Sequence, residues 1–157
     1  MLTPDPVQTA FQRYINAGQV GMPATSTDWD VDTRICETSA GISFGLAVSQ
    51  GTGDKGCIIG GAAFVGVTRA DPTLAQAAGV TTVDKYALGD NVAVHVRGDI
   101  WVTAEDAVAA GDAVYYDTTT GTLGHSGGTV IEDARWMTSA DAGKIAVLRL
   151  GNIAGNR

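Results

Sequence analysis

The chain has 157 residues, 17 acidic and 10 basic, for a formal charge of −7. That length favours one domain, able to bury roughly 68–70% of its unfolded surface. Apolar residues make up 45% and charged residues 17%, too apolar a balance for intrinsic disorder, and no apolar run nears the ~18 residues of a membrane-spanning helix. The basic residues stand singly from Arg13 to Arg157. With no cationic stripe for phosphates, neither nucleic acid nor a membrane surface is expected as a partner. Met1–Pro6 lacks the basic start and apolar stretch of a secretory signal, so synthesis in the cytosol is expected. Glycine, at 21 residues, is nearly twice as frequent as its ordinary ~7%.

In chain order, Pro4, Pro6 and Pro23 interrupt the first thirty residues, and Gly18 and Gly21 loosen them. Val7, Phe11, Tyr14 and Ile15 fall at helical spacing, over a stretch too short to be stable alone. We expect residues 1–30 to form an arm that packs on something else, and residues 31–157 to form the body. Ile42, Phe44, Leu46 and Val48 alternate onto one face of a strand. The run from Gly51 to Gly56 is a turn, and Cys57 to Val67 reads as a buried strand. A helical turn is expected over Leu74–Ala78. Val92, Val94 and Val96 alternate, and Gly98-Asp99 reads as the turn of a hairpin into Ile100-Trp101-Val102. Thr103 with Asp106 has the form of a capping box for a short helix, Ala104–Ala110, stopped by Gly111. Short strands follow at Ala113–Tyr116, Thr122-Leu123, Thr129–Ile131, Ala134–Met137 and Ile145–Leu150. Turn signals every 8–12 residues argue an all-β fold, a single jelly-roll-like sandwich or a barrel, with one short helix.

Several short motifs have the form of chemical sites. Gly51, Gly53 and Gly56 fit a dinucleotide fingerprint, but Cys57-Ile58-Ile59-Gly60-Gly61 is a poor helix start, so a hairpin turn is expected. Gly41-Ile42-Ser43-Phe44-Gly45 fits a nucleophile elbow, with Asp112 and His125 downstream in hydrolase order, yet no helix follows Ser43. Asp28, Asp30 and Asp32 open like a calcium loop, whose required Gly and Glu are replaced by Thr33 and Ser39. An edge segment with Trp29 and Val31 turned inward is expected there. His95 is expected mid-strand, facing solvent or an interface beside Arg97, and His125 in a Gly/Ser loop. Neither stands at zinc spacing from another ligand. Cys36 and Cys57 lie in apolar, strand-like runs and read as reduced, buried thiols, although spacing alone does not say whether the fold could pair them. No catalytic set converges, and no metal or cofactor is expected.

A longer run is more specific. Leu88-Gly89-Asp90-Asn91-Val92-Ala93-Val94 leads through Gly98-Asp99-Ile100-Trp101-Val102 to Ala107-Val108-Ala109-Ala110-Gly111-Asp112-Ala113-Val114-Tyr115-Tyr116-Asp117 and Thr120-Gly121. This run resembles the structural cement, or decoration, proteins of tailed-phage heads. Gly21-Met22-Pro23-Ala24 resembles that family's arm signature. Ile42–Val48 and Phe64-Val65-Gly66-Val67-Thr68 resemble its body strands, and Trp136–Ala140 with Ala146–Leu150 its C-terminal part, so that the resemblance covers most of residues 18–150. It implies a non-enzymatic protein, made in the host cytoplasm, on the outer capsid surface of the virion. It further implies attachment to the major capsid protein, bridging of neighbouring capsomers, and a homo-oligomer, dimer or trimer. Residues 1–17 depart from it, reading as somewhat helical where the family suggests an extended arm. The arm residues Phe11, Tyr14, Met22, Pro23 and Trp29 are expected to contact the capsid or a second copy, because large side chains seated in partner pockets dominate interface energy. The alternative is a receptor- or glycan-binding β-module, such as a head-fibre base, using Trp101, Tyr115 and Tyr116.

Overall fold

The computed structural model describes residues 18–25, 29–74 and 84–151. The helical turns expected before Gly18 and after Leu74 lie outside them. Among the described residues the strands are β1 (Asp30–Cys36), β2 (Ile42–Ser43), β3 (Ala47–Gln50), β4 (Gly56–Ile59), β5 (Phe64–Thr68), β6 (Lys85–Tyr86), β7 (Asn91–Thr103), β8 (Ala113–Tyr116), β9 (Leu123–Gly124), β10 (Thr129–Trp136) and β11 (Ile145–Leu150). The order β1-β4-β3-β5-β7 closes on itself through β1–β7 pairing, and from β7 the sheet continues through β11, β10, β8 and β9. The result is a five-stranded barrel with an extension. It is mixed because β1 and β4 run parallel, with Cys36 opposite Cys57, whereas β3, β5 and β7 pair antiparallel with their neighbours. Strands β2 and β6 form a separate ribbon.

Two cores follow from the alternation of side chains along β3 and β5. Val48 turns into the barrel with Cys36, Cys57, Val92 and Val94, joined by Ile42, Phe44 and Tyr86. Ala47 and Val67 turn outward into a second core with Ile100, Val102, Tyr116, Leu123, Trp136 and Leu148. The sheet extension therefore folds back over the barrel wall, and the molecule combines a barrel with a sandwich.

Strand β7 belongs to both halves. Its first half pairs with β1 and its second with β11, from Gly98 to Thr103. The hairpin expected at Gly98-Asp99 is thus one continuous strand of 13 residues. Gly98 bends it at φ +110°, where a Cβ would fall 2.5 Å from that of Trp29 and 3.0 Å from the His95 Nε2, so only glycine fits. Four other expected strands are divided differently. Ile42–Val48 breaks into β2 and β3 at Phe44-Gly45, and Cys57–Val67 into β4 and β5. The two segments expected at Thr129–Met137 form the single strand β10, bulged where Asp133 takes φ +58°.

No α-helix occurs among the described residues, which corrects the helix expected at Ala104–Ala110. Ala104 forms a bridge to Leu123, and Val108 and Ala140 bond each other in both directions, at 2.9 and 3.0 Å. The Asp106 carboxylate accepts bonds from the backbone of His125 (2.6 Å) and Ser126 (3.1 Å) and from the Ser126 hydroxyl (2.8 Å). It pins the loop after β9 instead of capping a helix. Two turns of helix have little stability of their own, and burial of Ala104 and Val108 in the second core decides the conformation.

Candidate interaction surface

The segment Gly18–Thr25 lies against β7 as an irregular strap, bridged to it at one antiparallel position. Gly21 N–H donates to the Trp101 carbonyl (2.7 Å), Trp101 N–H to Met22 (2.9 Å) and Ala24 N–H to Asp99 (2.9 Å), while Ala70 N–H donates to Gly21 (2.8 Å). Pro23, which has no N–H to give, sits at a bridge with Ile100. Gly18 lies against the Trp101 indole, where a Cβ would approach to 2.6 Å. This strap holds Met22 44% exposed beside a groove of about 980 Å³ lined by Val20, Met22, Pro23, Phe44, Arg69 and Ala70. Of the residues expected to make contacts, Met22 and Pro23 therefore share one surface. Phe11 and Tyr14 lie outside the described residues.

Trp29 takes a different place. Its ring stacks on His95, centroids 6.3 Å apart, and the Arg69 guanidinium lies 4.4 Å from the ring centre. His95 is fully buried, which corrects the solvent-facing position expected beside Arg97. It sits on β7 opposite Val31 on one side and Val67 on the other, under Trp29. Both ring nitrogens lack hydrogen-bond partners. Burial, and then the Arg69 charge, push its pKa down to about 4, outweighing the opposing pull of the Gly98 backbone, Asp99 and Asp30. Nearby charges are paired: Asp99, 4% exposed, takes both Arg149 donors at 2.6 and 2.8 Å, and Asp30 meets Arg97 at 2.9 Å.

The motifs of chemical form resolve into structure. The Gly51–Gly56 turn is the β3–β4 hairpin, and the Glu37 carboxylate accepts its Thr52 and Gly53 N–H groups at 2.5 and 2.8 Å. Those donors hold Glu37 below the usual carboxylate range, and the carboxylate takes the N–H groups that a phosphate would need. Ser43 stands in β2 opposite Lys85, and its carbonyl accepts the Thr68 hydroxyl. His125 and Asp112 pair with each other at 3.2 Å on the loops around β8 and β9, in the other sheet. Asp32 is held by Arg34 and Lys55, and no cluster of three potential metal ligands exists among the described residues. Cys36 and Cys57 are both free and buried. Burial, with Cys36 beside it, pushes the Cys57 thiol up to about 11. Tyr116 is buried, its hydroxyl donating to Gly61, so Trp101, Tyr115 and Tyr116 form no exposed aromatic platform. Sequence reasoning missed the groove residues Val20, Phe44 and Ala70, whose apolar character carried no sign that three distant segments would meet.

Among solved structures, a chain from "The capsid of Myoviridae Phage XM1" superposes with a TM-score of 0.64 at 16% identity, covering 93% of this chain and 98% of that one. At that identity the likeness concerns the fold. "The crystal structure of head fiber gp8.5 N base in bacteriophage phi29" gives a TM-score of 0.47 at 17% identity, covering 79% and 95%. No curated protein sequence matches the chain. Residues 7–151 match the family described as structural cement protein (E217 gp24/Pam3 gp6). Because that match spans most of the chain and takes in the strap, both cores and every strand described above, this chain belongs to the phage structural cement protein family, and is a non-enzymatic, capsid-associated component of the virion.

Proposed function

We propose that the protein binds the outer surface of the major capsid protein shell and bridges neighbouring capsomers as a dimer or trimer, with the strap and the arm that precedes it making the main contact. The observation that carries this reading is Met22, 44% exposed yet fixed by main-chain bonds to β7 at the rim of an apolar groove. An exposed apolar side chain on a rigid backbone loses little entropy on docking, and such anchors dominate interface energy. In the sequence, Phe11 and Tyr14 carry the same apolar character in the arm before the strap. Bridging is mechanical: it adds contact area that must be broken before the shell ruptures.

Purified protein mixed with undecorated expanded heads should co-sediment and raise the temperature at which the heads break. Removal of residues 2–17, which spares the strap, and Met22→Asp should each abolish co-sedimentation while leaving a cooperatively unfolding protein. Undiminished binding by both variants would overturn the reading.

A further inference from the structure

We infer that Cys36 and Cys57 form a latent disulfide site, at which a small-molecule disulfide such as oxidised glutathione links the two strands that close the barrel. The inference goes beyond the proposed capsid contact and does not depend on which surface meets the shell.

The chain has two cysteines, and the fold sets them directly opposite each other on the parallel strands β1 and β4. Main-chain bonds fix that register on both sides. Ile35 N–H donates to the Lys55 carbonyl at 2.8 Å, and Glu37 N–H to the Cys57 carbonyl at 2.9 Å. Both side chains are buried and face the barrel interior with Val48, Val92 and Val94. Both thiols are free, and the Cys36 thiol reaches the Thr38 carbonyl at 3.6 Å. Paired strands stand ~4.8 Å apart, inside the Cα window of roughly 4.4–6.8 Å that a disulfide spans. The Cβ atoms must close to about 3.5–4.5 Å, a small adjustment where β1 and β4 share only two register pairs.

The reaction is thiol–disulfide exchange. One cysteine thiolate attacks a sulfur of oxidised glutathione, whose S–S bond breaks and releases one glutathione thiolate. The second cysteine thiolate attacks the protein sulfur of that mixed disulfide and releases the other. Two protein thiols are oxidised, one glutathione disulfide is reduced to two thiols, and the two protons pass through solvent to the released glutathione. Burial raises both protein thiols and keeps thiolate scarce in the closed barrel. Exchange therefore proceeds before the β1–β4 seam has closed, or when it opens. Thiols are held reduced in a cytosol, whereas disulfides form and persist on virions, and this chain is a virion component. The bridge closes a loop of about 20 residues and so restricts the unfolded chain.

The test uses the reduced full-length protein, unfolded in urea and refolded with oxidised glutathione, beside a sample refolded with reduced glutathione. The expected product of the oxidising arm is a monomer lighter by two hydrogens, whose peptide map joins Cys36 to Cys57. It should unfold cooperatively and melt about 5–10 °C higher than the reduced sample, a gain that dithiothreitol reverses. Cys36→Ala should show neither the bridge nor any shift that depends on the oxidant. An equal shift in that variant would overturn the staple. The wild-type peptide map decides the pairing even where the variant does not fold. Two thiols left free after oxidative refolding, a glutathione adduct as the end product, a link between two chains, or a bridged protein that melts lower than the reduced one would each overturn the site.

Discussion

In the barrel, the fully buried side chains that the strands themselves contribute are small, Cys36, Val48, Cys57, Val92 and Val94, with Ile59 and Val65 partly buried against them. The bulk comes from outside the barrel wall, as Ile42 and Tyr86 of the β2–β6 ribbon and Phe44 just after β2. Phe44 and Tyr86 meet edge to face with centroids 5.2 Å apart. The second core is filled by its own strands, with Ile100, Tyr116, Leu123, Trp136 and Leu148. The difference follows from curvature. A barrel of five strands encloses too little room for a large residue on each wall, whereas two facing sheets stand ~10 Å apart and admit them. It also accounts for the composition: glycine and small apolar residues suit the tight half, and the aromatics among the described residues gather in the second core, at the end of the barrel and beside the strap.

The largest expected effect tests whether the second core carries the fold. Trp136 is fully buried and its Nε1 donates to the Gly124 carbonyl at 3.2 Å. Trp136→Ala should cost about 3–5 kcal/mol in denaturant unfolding. A loss below about 2 kcal/mol would mean that the barrel stands without its neighbour.

The seam between the halves should be sensitive to acid. His95 has a folded pKa of about 4 against an ordinary 6.5, so the unfolded chain takes up the proton first as pH falls. Its contribution is intact above pH 6.5 and is lost between there and pH 4, about 3 kcal/mol in all. Unfolding free energies at pH 7 and 4.5 should converge in His95→Leu. If the wild type shows no slope in that window, water reaches the ring and the seam is looser than its burial implies. The carboxylates of Asp32, Glu37, Asp106 and Asp117 are held below their usual range. Their stabilisation is present above the ordinary carboxylate pKa and is lost only as pH falls below about 4, so the two effects separate.

A smaller change sharpens the account of the barrel end. The Tyr86 hydroxyl donates to the Arg69 carbonyl at 2.5 Å, and burial pushes its pKa up to about 12. Tyr86→Phe keeps the packing and removes that bond, for about 1 kcal/mol in thermal or denaturant unfolding. A neutral outcome would show that the ring alone closes the end. The smallest effect concerns the thiols. With Cys36 and Cys57 buried and their pKa values raised, a thiol reagent at pH 8 should label neither in the folded protein, and labelling should follow unfolding. Rapid labelling of the native protein would contradict a closed barrel.

Much of the local structure was legible. The β3–β4 turn at Gly51–Gly56 and the strand β11 read directly from glycine clustering and alternating apolar residues. The order and spacing of the cement-like segments pointed to the family. The errors lie where one local pattern serves two geometries. Gly98-Asp99 suits a hairpin turn and equally a bend in a continuous strand, and which forms depends on Trp29 and His95 crowding the glycine. Thr103 with Asp106 suits a helix cap and equally a carboxylate that pins a loop 19 residues away. Of the expected contact residues, Met22 and Pro23 came together on the strap, while Trp29 turned toward His95.

By itself, then, the sequence determined an all-β chain, the positions of most turns, the want of a converging catalytic set and membership of the cement family. Those properties reside in the two-residue period, in turn-forming residues and in the order of segments, all of which are local or linear along the chain. The tertiary structure decided that β7 is shared by two cores, that the barrel closes through parallel β1–β4 and antiparallel β1–β7 pairing, and that His95 is buried. Each depends on contacts between residues far apart in sequence, where a side chain's surroundings, rather than its own preferences, set its conformation and charge.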